Sequence, residues 1–361
     1  VKIRTLSLVD WRSYAQVSVS FDDGLTAIIG ENGHGKTNLI EAIGWMAGLG
    51  SFRGAPDDAL VRDGTDAAVA RVTVEGNDGR EQLIEVEIQR AGRNRVQVNR
   101  QRLRRTGDLV GVLQATVFSP DDLALVKGGP TLRRGWLDTA VASRHPRNLV
   151  LRSNVERALK QRNALLRGVH GRLDADAAFT LDVWDAKLAE AGDQLLAARV
   201  ELLAEMATTL AGAYDAVAQK AADVTANYQA SWEGSLADTL ASRRELDVRR
   251  GITTVGPHRD EILLKIGGLP ARTHASQGEQ RSLALALRLA ADGVVRAAGI
   301  AEPVLLLDDV FSELDPNRAT ALLDALPPGQ HILTTAAELP PKARPDQIIR
   351  VHHGAVAPQI L

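Results

Sequence analysis

The chain has 361 residues, of which 45% are hydrophobic and 24% charged, proportions of a folded globular protein with little room for long disorder. That length exceeds one ordinary domain, so two lobes are expected, and no run approaches the roughly 18 consecutive apolar residues of a membrane-spanning helix. Cysteine is absent, which excludes disulfides, thiol catalysis and thiolate zinc, and the net charge of −2 hides opposite local surpluses.

The amino-terminal stretch VKIRTLSLVDWRSY is charged and strand-like rather than a secretory signal, so a cytoplasmic protein without a membrane partner is expected. The runs IRTLSLVDW, VSVSF, LTAIIG, AVARVTVEG, QLIEVEIQ and RVQVN alternate or are continuously apolar, and predict a sheet across the first third. One helix interrupts it, from Lys36 to about Leu49.

Between the third of these strands and that helix, Gly30 to Thr37 reads GENGHGKT and satisfies G-x-x-x-x-G-K-[ST] in the strand–loop–helix context the motif requires. Gly30, Gly33 and Gly35 let backbone N–H groups curl around phosphate oxygens, and the helix beginning at Lys36 adds the positive end of its dipole. Lys36 is expected to reach the β and γ phosphates of ATP, and the Thr37 hydroxyl to ligate Mg2+. The remaining loop positions Glu31, Asn32 and His34, with Asn38 behind them, complete the candidate ATP surface. His34 is a general base by chemistry, but it occupies a variable position of the motif and is taken as a spacer.

Next comes a basic run: seven arginines (Arg90, Arg93, Arg95, Arg100, Arg102, Arg104 and Arg105) with no acid between them. Beyond Pro120 the spacing turns helical. Leu181, Trp184, Leu188, Leu195, Leu202, Met206 and Leu210 fall three, four or seven apart, which predicts a long amphipathic helix over 176–210. It suits either a short coiled-coil arm or a helix packed against Val155 to Leu166, and the packed helix is the expectation. Arg144 to Arg172 holds eight basic residues against Glu156 alone, while Asp174 to Glu205 holds eight acids against Lys187 and Arg199. Candidate contacts to the DNA backbone are therefore Arg90, Arg93, Arg95, Arg102, Arg104 and Arg105 on a hairpin rim, and Arg152, Lys160 and Arg162 on the helical lobe. No aromatic residue interleaves with them along the chain, which favours duplex backbone over a base-stacking groove.

Strands return with EILLKIG, a helix is predicted from Gln280 to Val295, and PVLLLDD (Pro303 to Asp309) reads as a buried parallel strand. It delivers Asp308 and Asp309 to its carboxyl end, where open α/β sheets bind ligands. Asp308 is the expected Mg2+ ligand, and Asp309 falls where a water-activating carboxylate sits; Asp309 and Lys36 are the catalytic candidates. HILTTA and IIRVHHG complete the sheet. A head from 1–120 and 251–361, with a mainly helical lobe inserted over 121–250, is the predicted organisation.

Ser276 to Gln280 reads SQGEQ, 32 residues before Asp308, and SELD (Ser312 to Asp315) follows Asp309. Alone, SQGEQ is also a capping box, Ser276 with Glu279. In the order phosphate loop, SQGEQ, acidic strand, SELD, the chain resembles the ABC ATPases, which implies an α/β, ABC-type P-loop head of mixed sheet and helices. The same resemblance implies that Ser276, Gln277, Gly278, Glu279 and Gln280 close on the nucleotide of a second copy, so that ATP drives a homodimer. The 240 residues from Lys36 to Ser276 are too many for a transporter nucleotide domain and too few for SMC or Rad50 proteins. With FSPDDLALVKGGPTLRRGWLD (Phe118 to Asp138), VGPHRD (Val255 to Asp260) and LLLDDVFSELD, the chain resembles the RecF family. That resemblance implies ATP and DNA binding, ATP-dependent dimerisation, action with RecR at gapped DNA, and help to RecA in repair, replication restart and the SOS response.

Two departures from the wider ABC pattern stand out. Asp309 replaces the usual glutamate, which predicts slow hydrolysis, and no histidine follows HILTTA, leaving Thr334 or Thr335 near the sensor position. Gln114 is the candidate Q-loop glutamine, with the oxygens of FSPDD as substitutes. Arg133, Arg134, His258 and Arg259 are interface or packing candidates. The rival functions are a nucleotide-binding subunit of a membrane transporter, which the basic runs and the insert do not favour, and a DNA scaffold that never hydrolyses ATP.

Overall fold

The computed structural model describes residues 1–103, 106–109, 111–299 and 302–360; Arg104 and Arg105 lie outside the described residues. In chain order run β1 (Lys2–Trp11), β2 (Tyr14–Ser20), β3 (Leu25–Ile29), α1 (Lys36–Gly48), β4 (Ala67–Glu75), β5 (Glu81–Gln89), β6 (Arg95–Val98), β7 (Gln101–Arg102) and β8 (Ala115–Phe118). There follow α2 (Leu123–Lys127), α3 (Pro130–Arg144), α4 (Leu149–Gly168), α5 (Ala175–Ala218), β9 (Val224–Gln229), α6 (Leu236–Arg250), β10 (Glu261–Ile266), β11 (Leu269–Pro270), α7 (Ala271–His274) and α8 (Gln277–Ala297). The chain closes with β12 (Val304–Asp308), α9 (Pro316–Ala325), β13 (His331–Thr335), β14 (Gln347–His352) and β15 (Ala355–Ile360).

Two compact units result: Val1–Leu123 with Gly212–Ala221 and Arg281–Leu361, and Ala124–Ala211 with Ala222–Gln280. Residues 251–280, expected in the head, belong to the second unit. The cause is β10 (EILLKI), which pairs antiparallel with β9 rather than joining a head sheet. The polar sequence of β9, VTANYQ, gave no strand signal of its own.

The first unit has two sheets. One is antiparallel, in the order β2-β1-β4-β5-β6-β7; the other, β15-β14-β3-β13-β12-β8, is parallel except for β15. Helix α1 is buried on nearly every side: Leu39, Ile40, Ile43, Trp45 and Met46 enter one core with residues of both sheets, and the buried Glu41 is neutralised by Arg12 at 2.7 and 2.9 Å. The side-chain alternation of β12 divides the head: Val304 and Leu306 enter that core, whereas Leu305 and Leu307 pack on the other face with Leu285 of α8 and Leu322 of α9. A strand buried on both faces needs such a continuous apolar run.

The 44-residue helix α5 belongs to the second unit as far as Ala211, and its last residues, from Gly212, to the first. Leu188 and Leu195 of α5 pack with Val155 and Ala158 of α4 and Leu236 and Leu240 of α6, so over this stretch α5 is a packed helix rather than a free coiled-coil arm. The family motifs interlock here. Arg133 makes a two-pronged ion pair with Glu261, both bonds 2.8 Å, and Arg199 does the same to Asp138 at 2.7 and 2.9 Å while also donating to the Pro257 carbonyl. Arg134 donates to the Asp260 carbonyl, and Arg259 and His258 turn to the Thr253 carbonyl. Burial lowers the His258 imidazole to about 4, so it is neutral at pH 7. These residues serve packing.

Arg162 corrects the list of DNA candidates. It is 0% exposed and donates to Asp185 at 2.6 Å, Asp247 at 2.7 Å and Thr253 at 2.8 Å, so it cannot touch a phosphate. Removing one partner of a buried ion pair strands the other, here Asp247, in low dielectric. Arg162→Ala is expected to cost about 3–5 kcal/mol of stability in urea unfolding, yet to leave DNA affinity intact where the protein remains folded.

Candidate nucleotide site

The parallel strands bring four loops to one end of their sheet. Register pairs Thr335 with Ile29, Asp308 with Thr334 and Leu307 with Phe118, so the segments after β3, β13, β12 and β8 emerge together. The phosphate loop leaves β3 at Gly30, where a Cβ would collide with the Val351 carbonyl oxygen. Gly35 has φ +107, a left-handed conformation, and a Cβ there would meet the Ser13 and Tyr14 oxygens. The Tyr14 hydroxyl donates to the Gly35 carbonyl at 3.1 Å and Asn38 donates to Ser13 at 2.9 Å, so the turn DWRSY between β1 and β2 braces the loop from beneath. Nothing in the alternation of those strands announced this.

Lys36 is buried, and its ammonium donates to the Glu31 carbonyl across the loop at 2.9 Å. Burial lowers its pKa, with Asp309 and Asp308 opposing the shift. Glu31, Asn32 and Gly33 are exposed at the loop crest. The His34 ring packs in a cluster with His352 and His353, its centroid 5.0 and 4.2 Å from theirs and theirs 4.4 Å from each other, so it is taken up in packing.

Opposite the loop, Asp308 is buried and accepts from the Thr37 hydroxyl at 2.7 Å and the Thr334 hydroxyl at 2.8 Å. Burial raises its pKa, and the two hydroxyl bonds oppose the rise. A carboxylate beside a hydroxyl at the mouth of a glycine cradle is a hard-oxygen donor set that suits Mg2+. Asp309 takes φ 47, a left-handed conformation that aspartate tolerates better than most side chains, and its Oδ1 is buried without a hydrogen-bond partner. An unsatisfied buried carboxylate oxygen is costly, and such atoms occur where chemistry is done. Thr334 is 0% exposed and also holds the Asp309 amide, so it positions both acids rather than sensing phosphate directly.

Gln114 precedes β8, at the opposite end of the sheet from the loops, and is therefore not the Q-loop residue. The segment after β8 does reach the correct end. There Ser119 and Asp122 form a capping box, and Asp122 pairs with Arg288 of α8 at 2.6 Å. SELD lies in the short helix after Asp309 and at the start of α9, where Asp315 caps that helix and Arg281 of α8 donates to the Glu313 carbonyl at 2.9 Å.

In the second unit SQGEQ opens α8. Ser276 and Glu279 form the capping box, the Ser276 amide donating to Glu279 at 2.8 Å, and Ser276 and Gln277 are exposed. Gln280 is a correction: it is buried, and its amide is spent on the carbonyls of Ala271 and Arg272. Of the DNA candidates, Arg93, Arg95 and Arg102 are exposed along the β6–β7 edge, and Arg90 is tied to the carbonyls of Val61, Arg62 and Thr65. Arg152 and Lys160 are exposed on α4, Arg152 paired with Glu156.

Among protein families, residues 2–352 match the RecF/RecN/SMC N terminal domain. The DNA replication and repair protein RecF of Streptomyces avermitilis is 46% identical over 347 residues, 92% of each chain, and that of Frankia alni is 45% identical over 350 residues, 92% of each. A solved structure of the recombination mediator protein RecF with ATP in the RecFOR pathway superposes with a TM-score of 0.90 at 27% identity, over 99% of this chain and 97% of that one. No helix among the described residues is long and apolar enough to cross a membrane.

Proposed function

This chain belongs to the RecF/RecN/SMC N-terminal-domain family, and from that premise we propose that it is a recombination mediator of the RecF type, an ATPase whose two copies close on ATP to bind DNA. The observation that carries this reading is the bonded series Thr37–Asp308–Thr334 behind a glycine cradle, a site prepared for a magnesium triphosphate. Lys36 neutralises the β and γ phosphates, and Thr37 and Asp308 hold Mg2+, which when bound supplies positive charge against the phosphate oxygens. Asp309 takes the proton of the attacking water, and its short side chain makes hydrolysis slow. The exposed Ser276 and Gln277 of one copy, with Gly278, meet the γ-phosphate held by the other.

Ser276→Ala is expected to bind ATP as the wild type does while ATP-driven association weakens by roughly tenfold or more, the scale of one lost charge-assisted hydrogen bond. The loss of the helix cap costs about 1 kcal/mol, which melting separates from the interface effect. Ser276→Thr, which keeps the hydroxyl, restores association. Unimpaired ATP-driven association of Ser276→Ala in sedimentation would exclude the serine from the interface.

DNA binding rests on the exposed arginines of the β6–β7 edge and the cations of α4, which offer backbone contacts at gapped or junction DNA in the cytoplasm. RecR and RecA are the partner proteins that the resemblance to RecF implies. The test is affinity for gapped duplex, with ATP, across a salt series. Log affinity should fall linearly with log salt, by about 0.9 per phosphate contacted. A flat line, or no binding, would contradict the DNA reading.

A further inference from the structure

Along the chain the second basic stretch has no aromatic neighbour, but folding supplies one. Trp184 of α5 lies beside Arg157 and Asn154 of α4, and with Lys187, Glu190 and Gln194 they line an open groove of about 240 Å³. Trp184 alone of the five tryptophans is not buried: Trp11, Trp45, Trp136 and Trp232 are all in the core. Its ring packs in part on the α4–α5–α6 core, and Lys187 holds its ammonium 4.9 Å from the ring centroid.

We propose that this groove takes one unpaired base of single-stranded DNA, stacked on Trp184; the proposal rests on the DNA-binding reading and specifies which strand feature the second unit grips. An exposed cation–π contact is weaker than a base stacked on an indole, so a base displaces the Lys187 ammonium. The freed ammonium and the Arg157 guanidinium then face the flanking phosphates as sequence-independent contacts. Asn154 and Gln194 offer both donors and acceptors to a base edge, and Glu190 accepts from the exocyclic amines of adenine, cytosine or guanine. The exposed Arg152 and Lys160 on α4 extend the cationic path for the backbone. A duplex, with its bases paired and stacked, has no such ring to offer, so the groove favours the single-stranded part of a gapped molecule.

The test compares the full-length protein with Trp184→Ala and with Trp184→Leu, which keeps apolar packing but removes the aromatic face. A single-stranded oligonucleotide should quench the wild-type tryptophan fluorescence and leave both variants unquenched. Affinity for gapped duplex should drop by about fivefold or more in both, the lower end of base–aromatic stacking, while affinity for continuous duplex stays as in the wild type. Unchanged gapped-duplex affinity in Trp184→Leu, or an equal loss on continuous duplex, overturns the groove and leaves DNA binding intact. A wild type that binds neither DNA overturns both.

Discussion

Lys36→Ala is expected to lose ATP affinity by at least about thirtyfold, from the 2 kcal/mol or more that truncating one partner of a buried charge pair costs. The ammonium is buried at the foot of the loop and already bonded to the Glu31 carbonyl, so its removal leaves the phosphate oxygens without their single cationic side-chain partner in the motif. The fold should survive, because Lys36 contributes its ammonium to one local carbonyl and α1 is held by Leu39, Ile40 and Ile43. ATP-driven association disappears with the nucleotide. Equilibrium binding of a fluorescent ATP analogue checks this, and an affinity within threefold of the wild type would remove Lys36 from the site.

Asp309→Asn is expected to have the opposite profile: ATP bound, dimer formed, hydrolysis lowered by about 10² to 10⁴-fold, the range of general-base assistance. Asparagine is nearly isosteric and also tolerates the left-handed backbone at φ 47, so the substitution changes proton affinity with little strain. The ATP dimer should therefore live longer than in the wild type. Single-turnover hydrolysis measures the chemical step directly. A wild-type rate in Asp309→Asn would assign the proton to another group.

Much of this site is legible in the sequence because its information is local. A glycine pattern between a strand and a helix fixes the phosphate loop, and four apolar residues ahead of Asp308 bury the strand that carries it. Arg162 escaped because charge was counted along the chain rather than around the helix: Val155, Ala158, Arg162 and Leu166 form one buried stripe of α4, spaced three and four apart. Its buried partners Asp185 and Asp247 lie 23 and 85 residues away, beyond any local pattern. The place of Gln114 depends on β8, whose four residues ATVF are too short a run to read as a strand; once β8 lies parallel to β12, a residue before it cannot reach the carboxyl end. The β9–β10 pairing and the approach of Trp184 to Arg157 are long-range contacts that periodicity does not encode, and the first of them moved the lobe boundary.

The most direct test is sedimentation velocity of the wild-type protein with ATP and Mg2+, with ADP, and without nucleotide, each with and without gapped duplex. A dimer with ATP and monomers otherwise, the ATP species alone comigrating with DNA, is the result expected of two subunits that share their triphosphates. Monomers under every condition, at ATP concentrations that saturate the phosphate loop, would contradict it.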